Sequence, residues 1–446
     1  MTGLLEEKLA NLEQVGVDKP LVEHIRAYVE QAGAPGLAYA PPFRMADQWQ
    51  LPRREVLEAF LHSTRLGIFD LGWDLHCPSC RGVTEHAPHL NVLDSHSHCE
   101  FCQVDFTAGF DDLVEVNFSV NANIRERQEF SMRDFFAYWD SLEAVTSFSV
   151  GAGETHGVER DFAETSYYVF ILDTDHQVAF PVHDTAAMDA RELAITYDGE
   201  TFVRDTKDAL LPGPLHLRVL NRSDQPIEVR VVALKKYPWV SAATVASTQS
   251  FRDLFATELI SPDETFSIRN LVFVFTDIKG SSALYERLGD SDAYLLVKEH
   301  FGILTDKVRI HNGAVVKTIG DAVMATFVVS TDAATALFEM QKAFDEFNAR
   351  EKTRDDIIIK VGAHRGPCIA VSSNDRLDYF GRTINVAARV QGLSTGRDIV
   401  MSKSLYEEPA VRSLVDNAQW RQRHFQAELR GIAAKHDVVH LNPPVE

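Results

Sequence analysis

The sequence predicts a multidomain chain with four parts: a helical N-terminal segment, a four-cysteine zinc ribbon, a β-sandwich-like domain and a C-terminal α+β domain. Three observations predict it. Two Cys-x-x-Cys pairs, Cys77/Cys80 and Cys99/Cys102, stand eighteen residues apart. Apolar spacing is helical before them and short or alternating after them. Beyond residue 268, long apolar runs end on carboxylates beside glycine turns. The boundaries read from these changes are 1–75 for the helical segment, 76–111 for the ribbon and 112–246 for a β-rich domain. A helical connector over 247–267 and the C-terminal domain over 268–446 complete the chain.

In the first part, Leu21 to Val29 has helical spacing, and Gly33 with Pro35-Gly36 is expected to stop it. Met45 to Leu61 reads as helix, turn, helix, a pattern that can read DNA. The charge balance argues against that use: 44 Lys and Arg face 65 Asp and Glu, a formal net charge of −21. Nucleic acids and anionic membranes reward a basic surface, so neither is expected as a partner. Met1 to Glu7 lacks a signal pattern, and no window approaches a membrane span. Five cysteines, four of them in paired motifs, fit a reducing cytosol, so a cytoplasmic protein is expected.

Four cysteines at this spacing read as a closed tetrahedral site. One structural Zn²⁺ per chain is expected on Cys77, Cys80, Cys99 and Cys102. A catalytic or redox zinc is the sharper alternative. His76, His86, His89, His96 and His98 crowd the segment and read as solvent-facing loop residues, because four thiolates already fill the coordination sphere.

In the third part, Val114 to Val120, Tyr167 to Leu172, Leu215 to Leu220 and Ile227 to Leu234 read as strands of an antiparallel sandwich, interrupted by a helix near Met132 to Trp139. Ser250 to Leu259 reads as a short amphipathic helix, which Ser261-Pro262-Asp263-Glu264 breaks.

Leu271 to Phe275 is five apolar residues in a row, the pattern of a strand covered on both faces. Asp277 sits at its end. Gly280 permits a tight turn, and Ser281 or Ser282 is expected to cap a helix starting at Ala283, so free N–H groups would face whatever Asp277 holds. Gly313 to Phe327 reads as a β-hairpin with Asp321 at its turn. A carboxylate beside buried strands needs a cation or hydrogen bonds, and Asp277 and Asp321 can share metal ions. A single strand-end Asp before a glycine is more often a plain turn residue. A third stretch, Leu377 to Val390, carries Asp378, Asn385 and Arg389, with Asn385 and Arg389 four apart on one helix face.

Together these three stretches, in this order, resemble the class III nucleotide cyclase catalytic domain over about residues 268 to 442. The resemblance implies a ferredoxin-like α+β domain. It implies that Asp277 and Asp321, with the carbonyl of Ile278, hold two Mg²⁺ or Mn²⁺ ions per active site. Lys317 and Asp378 match the pair that reads the purine, and a Lys donor with an Asp acceptor suits adenine, hence ATP and an adenylate cyclase. Asn385 matches the residue that orients the ribose, and Arg389 the one that stabilises charge on the α-phosphate. The family builds its site between two catalytic domains, which implies a homodimer. A phosphate-binding lysine of relatives falls near Leu429-Arg430-Gly431, where Arg430 or Lys435 takes its place. Residues 1 to 240 more weakly resemble an uncharacterised module that precedes bacterial cyclase domains, which leaves room for an unidentified regulator of this half. A guanylate cyclase and a silent dimerising module are the competing readings. The other segments read as scaffold: helices over Asp292 to His300 and Ala333 to Phe347, a strand at Ile357 to Ala363, a core thiol at Cys368, and helices on one side of the sheet.

Overall fold

The computed structural model describes residues 2–444 apart from positions 79, 101–103, 173, 175, 185, 187–190, 207, 351–355 and 433. The chain divides into two compact units. One comprises Met1–Pro88, Asp94–Ala108 and Leu113–Val240; the other comprises His89–Leu93, Gly109–Asp112 and Ser241–Glu446.

The first unit opens with helices Thr2–Gln14, Lys19–Gln31, Ala34–Ala38, Pro42–Trp49 and Arg53–Arg65. Lys19–Gln31 stops just before Gly33, as expected, and Pro35-Gly36 then lies inside the next, short helix. A proline in the first turn removes no helical hydrogen bond, so it can begin a helix as well as end one. Phe69–His76 is a strand, although the sequence reading ran the helical segment to residue 75. It pairs with Val83–Ala87 and Val114–Val120.

Two four-stranded sheets follow. One runs Phe202–Arg204, Glu192–Tyr197, Gly213–Asn221, Thr155–Phe162; the other runs Leu142–Val150, Ile227–Leu234, Thr165–Ile171, Gln177–Val182. Phe162, Leu193 and Leu217 from the first sheet share a core with Val169, Phe180 and Val229 from the second. The expected antiparallel order fails at one pair: Glu192–Tyr197 and Gly213–Asn221 run parallel. The intervening strand Phe202–Arg204 reverses the chain once, so the next strand returns in the original direction.

The second unit is a mixed α/β domain. Its sheet has eight strands among the described residues. The order is Ala314–Ile319, Ala322–Phe327, Phe266–Ile278, Ile359–Ser373, Ile399–Ser402, His436–Asn442, Arg421–Ala427, with Arg376–Phe380 paired to Ile359–Ser373. Val272, Val274, Val361 and Ala363 bury one face against Leu304, Leu337 and Met340 of helices Asp290–Ile310 and Ser330–Arg350. The opposite face is covered too. Helix Arg382–Gln391 sets Val386 and Val390 against Val400 and Val438. The expectation of helices on one side is therefore corrected. The cause is Gly362, where a Cβ would come within 2.3 Å of the Gln391 backbone, so the helix docks where that side chain is missing.

Two local expectations also change. Gly280, at φ +72°, is the N-cap of helix Ser281–Leu288, and neither Ser281 nor Ser282 supplies a capping hydrogen bond. The left-handed turn that only glycine adopts cheaply starts the helix two residues earlier, at Ser281. The connector helix spans Gln249–Leu254, after Ala242–Ala246, and stops well short of Leu259. None of the helices, among the described residues, is long and apolar enough to cross a membrane.

Candidate nucleotide site and metal ligands

Asp277 is the penultimate residue of strand Phe266–Ile278, and Asp321 follows Gly320, whose φ of +64° makes the hairpin turn. Thr276 pairs with Val323, so the register brings that turn alongside the strand end. The Ile278 N–H donates to Asp321 Oδ2 at 3.3 Å. Burial and the neighbouring Asp321 charge raise the Asp277 carboxyl above the usual carboxylate range, while Lys360, its partner in the strand register, pulls the other way. Two half-buried carboxylates that repel each other are a donor set that fits a hard divalent cation, which favours oxygen ligands and lets water and phosphate complete its shell.

His300 is fully buried in helix Asp290–Ile310, which the sequence reading took as scaffold. The Phe301 and Phe344 rings lie 5.2 and 5.4 Å from it, and neither ring nitrogen has a hydrogen-bond partner of good geometry among the described residues. Burial pushes it down to about 4, with the Asp321 charge opposing.

Lys317 projects from strand Ala314–Ile319, and Asp378 from Arg376–Phe380. The Lys317 Nζ donates to Asp378 Oδ2 at 2.5 Å. Asp378 Oδ1 accepts from the Tyr379 N–H at 2.8 Å, and the Phe380 ring centroid lies 6.0 Å from the ammonium. Beside Lys317 opens a cleft of about 430 Å³, lined also by Thr318, Val315, Phe255 and Arg376.

Asn385 and Arg389 are exposed on the outer side of helix Arg382–Gln391, whose inner side is Val386, Ala387 and Val390. Neither has a polar partner among the described residues. The structure thus brings Asp277 to Asp321 and Lys317 to Asp378, and leaves the other two side chains on open surface. Of the two C-terminal candidates, Lys435 is paired with Glu428 at 3.1 Å, whereas Arg430 is exposed beside Gly431 and has no partner among the described residues. Cys368 is a buried core thiol, and burial pushes it up to about 12.

In the first unit the sulfurs of Cys77, Cys80 and Cys99 all lie within 4.8 Å of one another, and all three side chains are buried. Cys80 Sγ and Cys99 Sγ are 3.8 Å apart. Tetrahedral zinc with bonds of about 2.3 Å separates its sulfurs by about 3.8 Å, so the cluster fits that ion. Cys102 lies outside the described residues. The expectation of solvent-facing histidines is corrected at His76. It is buried, with Nε2 2.8 Å from Glu115 Oε2 and Nδ1 2.9 Å from the Arg81 carbonyl. Its place as the last residue of a buried strand turns it inward. His86, His89 and His98 are more exposed, and each meets a carboxylate, Asp74, Glu258 and Asp105 respectively.

Gln249 and Arg252 lie in the connector helix, which the sequence marks only as a linker. Both bind backbone groups next to the Lys317–Asp378 pair. A polar pair three apart on a short helix is the only sequence trace they leave.

Two family descriptions match the chain: "Family of unknown function (DUF5939)" over residues 5–253, and "Adenylate and Guanylate cyclase catalytic domain" over residues 265–432. An adenylate cyclase of Lachancea kluyveri is 29% identical over 184 residues, 37% of this chain and 10% of that protein. An adenylate cyclase of Anabaena cylindrica is 29% identical over 153 residues, 31% of this chain and 30% of that protein. The chain therefore spans between about a tenth and a third of the length of these relatives. Among solved structures, the adenylyl cyclase CyaB from P. aeruginosa is 22% identical, covering 41% of this chain and 97% of that one, with a TM-score of 0.35.

Proposed function

The chain belongs to the family of unknown function DUF5939 and carries a nucleotide cyclase catalytic domain at its C-terminus, and from this premise we propose that it is an adenylate cyclase. It converts ATP to 3′,5′-cyclic AMP and pyrophosphate at sites formed between two copies of the chain, in the cytoplasm. The observation that carries this reading is the 2.5 Å pairing of Lys317 with Asp378 beside an open cleft. An ammonium donor and a carboxylate acceptor held side by side match the ring nitrogen and exocyclic amine of adenine.

Asp277 and Asp321, with the Ile278 carbonyl, hold two Mg²⁺ or Mn²⁺ ions. When bound, such ions supply positive charge at the phosphates and lower the pKa of the ribose 3′-hydroxyl. Asn385 orients the ribose. Arg389 meets the charge that develops on the α-phosphate as the 3′-oxygen bonds to phosphorus and pyrophosphate leaves. Arg430 binds the terminal phosphates. The exposure of Asn385 and Arg389, without polar partners among the described residues, supports a two-fold dimer in which they serve the metal carboxylates of the other subunit. Cys77, Cys80 and Cys99, with Cys102, hold one structural Zn²⁺. Residues 1–246 form the regulatory half, acting through 247–267.

The test is turnover of the purified full chain with ATP or GTP, under Mg²⁺ and then Mn²⁺. Cyclic AMP in clear excess is expected. Cyclic GMP in excess, or no cyclic nucleotide under either ion, contradicts the reading.

A further inference from the structure

We propose that Gln249 and Arg252 are positioning residues that hold the two base-reading strand segments in register. The match to the family of unknown function runs to residue 253, yet its last helix, Gln249–Leu254, belongs to the catalytic unit. Two earlier pieces of the same matched stretch, His89–Leu93 and Gly109–Asp112, belong there as well. Glu258 accepts from His89 Nδ1 at 2.8 Å and from the Leu90 N–H at 3.1 Å. The Phe110 N–H donates to the Ser267 carbonyl at 2.8 Å. The connector is thereby built into the domain that carries the site.

Gln249 is buried and both ends of its amide are used. Its Nε2 donates to Asp253 Oδ1 at 2.9 Å, and its Oε1 accepts from the Val315 N–H at 2.8 Å. Val315 lies on the edge strand of the sheet, at a register irregularity and two residues before Lys317. An edge N–H would otherwise face solvent. Arg252 works on the other partner. Its Nη1 donates to the Leu377 carbonyl at 2.9 Å, its Nε donates to the Ala246 carbonyl at 2.8 Å, and its guanidinium carbon lies 5.4 Å from the Tyr379 ring centroid. Leu377 and Tyr379 flank Asp378. One helix of six residues thus ties down both segments whose side chains meet at 2.5 Å, through two residues on the same helical face. A base reader misplaced by about 1 Å loses much of its effect, so these ties set recognition of the purine.

The inference rests on the adenylate cyclase reading. The test compares the purified full chain with Gln249→Met, Arg252→Met and Arg252→Lys. Asn348→Ala serves as control, since it breaks two hydrogen bonds to Ile357 elsewhere in the same unit. Gln249→Met and Arg252→Met are each expected to raise KM for ATP about five- to tenfold, the effect of one lost hydrogen bond. They should also lower the ATP over GTP preference, with kcat within about twofold of wild type. Arg252→Lys should recover part of the loss, and Asn348→Ala should move neither KM nor preference. Unchanged KM and preference in both Met variants, while wild type turns over ATP, overturns the inference and leaves the cyclase reading standing. An equal shift in the control overturns it too. A wild-type chain that makes no cyclic nucleotide removes both. If Arg252→Met does not fold, Gln249→Met decides alone.

Discussion

The ammonium of Lys317 lies 2.5 Å from Oδ2 of Asp378, a carboxylate whose side chain is only 8% exposed. Each satisfies the other's charge, so on the proposed reading a purine would enter by sharing or replacing that bond. The proposed role of the pair in base preference makes a prediction: changing Lys317→Glu together with Asp378→Cys should lower kcat/KM for ATP by about ten- to a hundredfold, the range for lost charge-assisted hydrogen bonds. Relative use of GTP should rise. Steady-state assays with both nucleotides check this, and unchanged cyclisation of ATP refutes the purine assignment.

Asp277 gives a second test, of stability. Burial and Asp321 raise its folded pKa, so the folded chain binds more protons than the unfolded one in the window above the ordinary carboxylate value of 3.8. Stability without cations therefore falls as pH rises through that window. Asp277→Asn should raise the Tm of metal-stripped protein at pH 7 while abolishing turnover. Added Mg²⁺ or Mn²⁺ should stabilise wild type and not the variant. Thermal melts with and without chelator check both signs.

His300 predicts the acid limb. Its folded pKa of about 4 lies below the unfolded value of 6.5, so the unfolded chain takes up a proton first. The contribution to stability is intact above pH 6.5 and is lost as pH falls toward 4. His300→Leu, which removes the titrating ring from its apolar surroundings, should flatten stability between these values. Denaturant melts across that range measure it, and parallel wild-type and variant curves contradict it.

The cysteine cluster makes a compositional prediction. Purified protein should contain about one zinc per chain, and Cys77→Ser should lose it together with a large drop in Tm, since structural zinc contributes folding energy directly. Equal zinc in both proteins excludes Cys77 as a ligand.

Much of the catalytic unit was legible because its signals are local. Five apolar residues from Leu271 to Phe275 can hardly be anything but a covered strand, Gly320 marks the hairpin turn, and the spacing of Asn385 and Arg389 is that of one helix face. What escaped depends on partners far away in sequence. Gln249 binds Val315 across 66 residues, and Arg252 binds Leu377 across 125, so neither leaves a periodic trace. His76 looked like a loop residue until Glu115, 39 residues on, received it in a buried sheet. The second helical layer was hidden in one glycine, Gly362, whose missing side chain matters only once Gln391 lies over it.

A catalytic site shared between two subunits, as proposed, is tested most directly by complementation. Asp277→Ala and Arg389→Ala are each expected to be nearly inactive as homodimers. Coexpressed, they should form heterodimers with one site free of both changes, which restores about a quarter of wild-type cyclic AMP production for random two-fold pairing. A coexpressed mixture as inactive as either parent, despite heterodimers being present, contradicts the account.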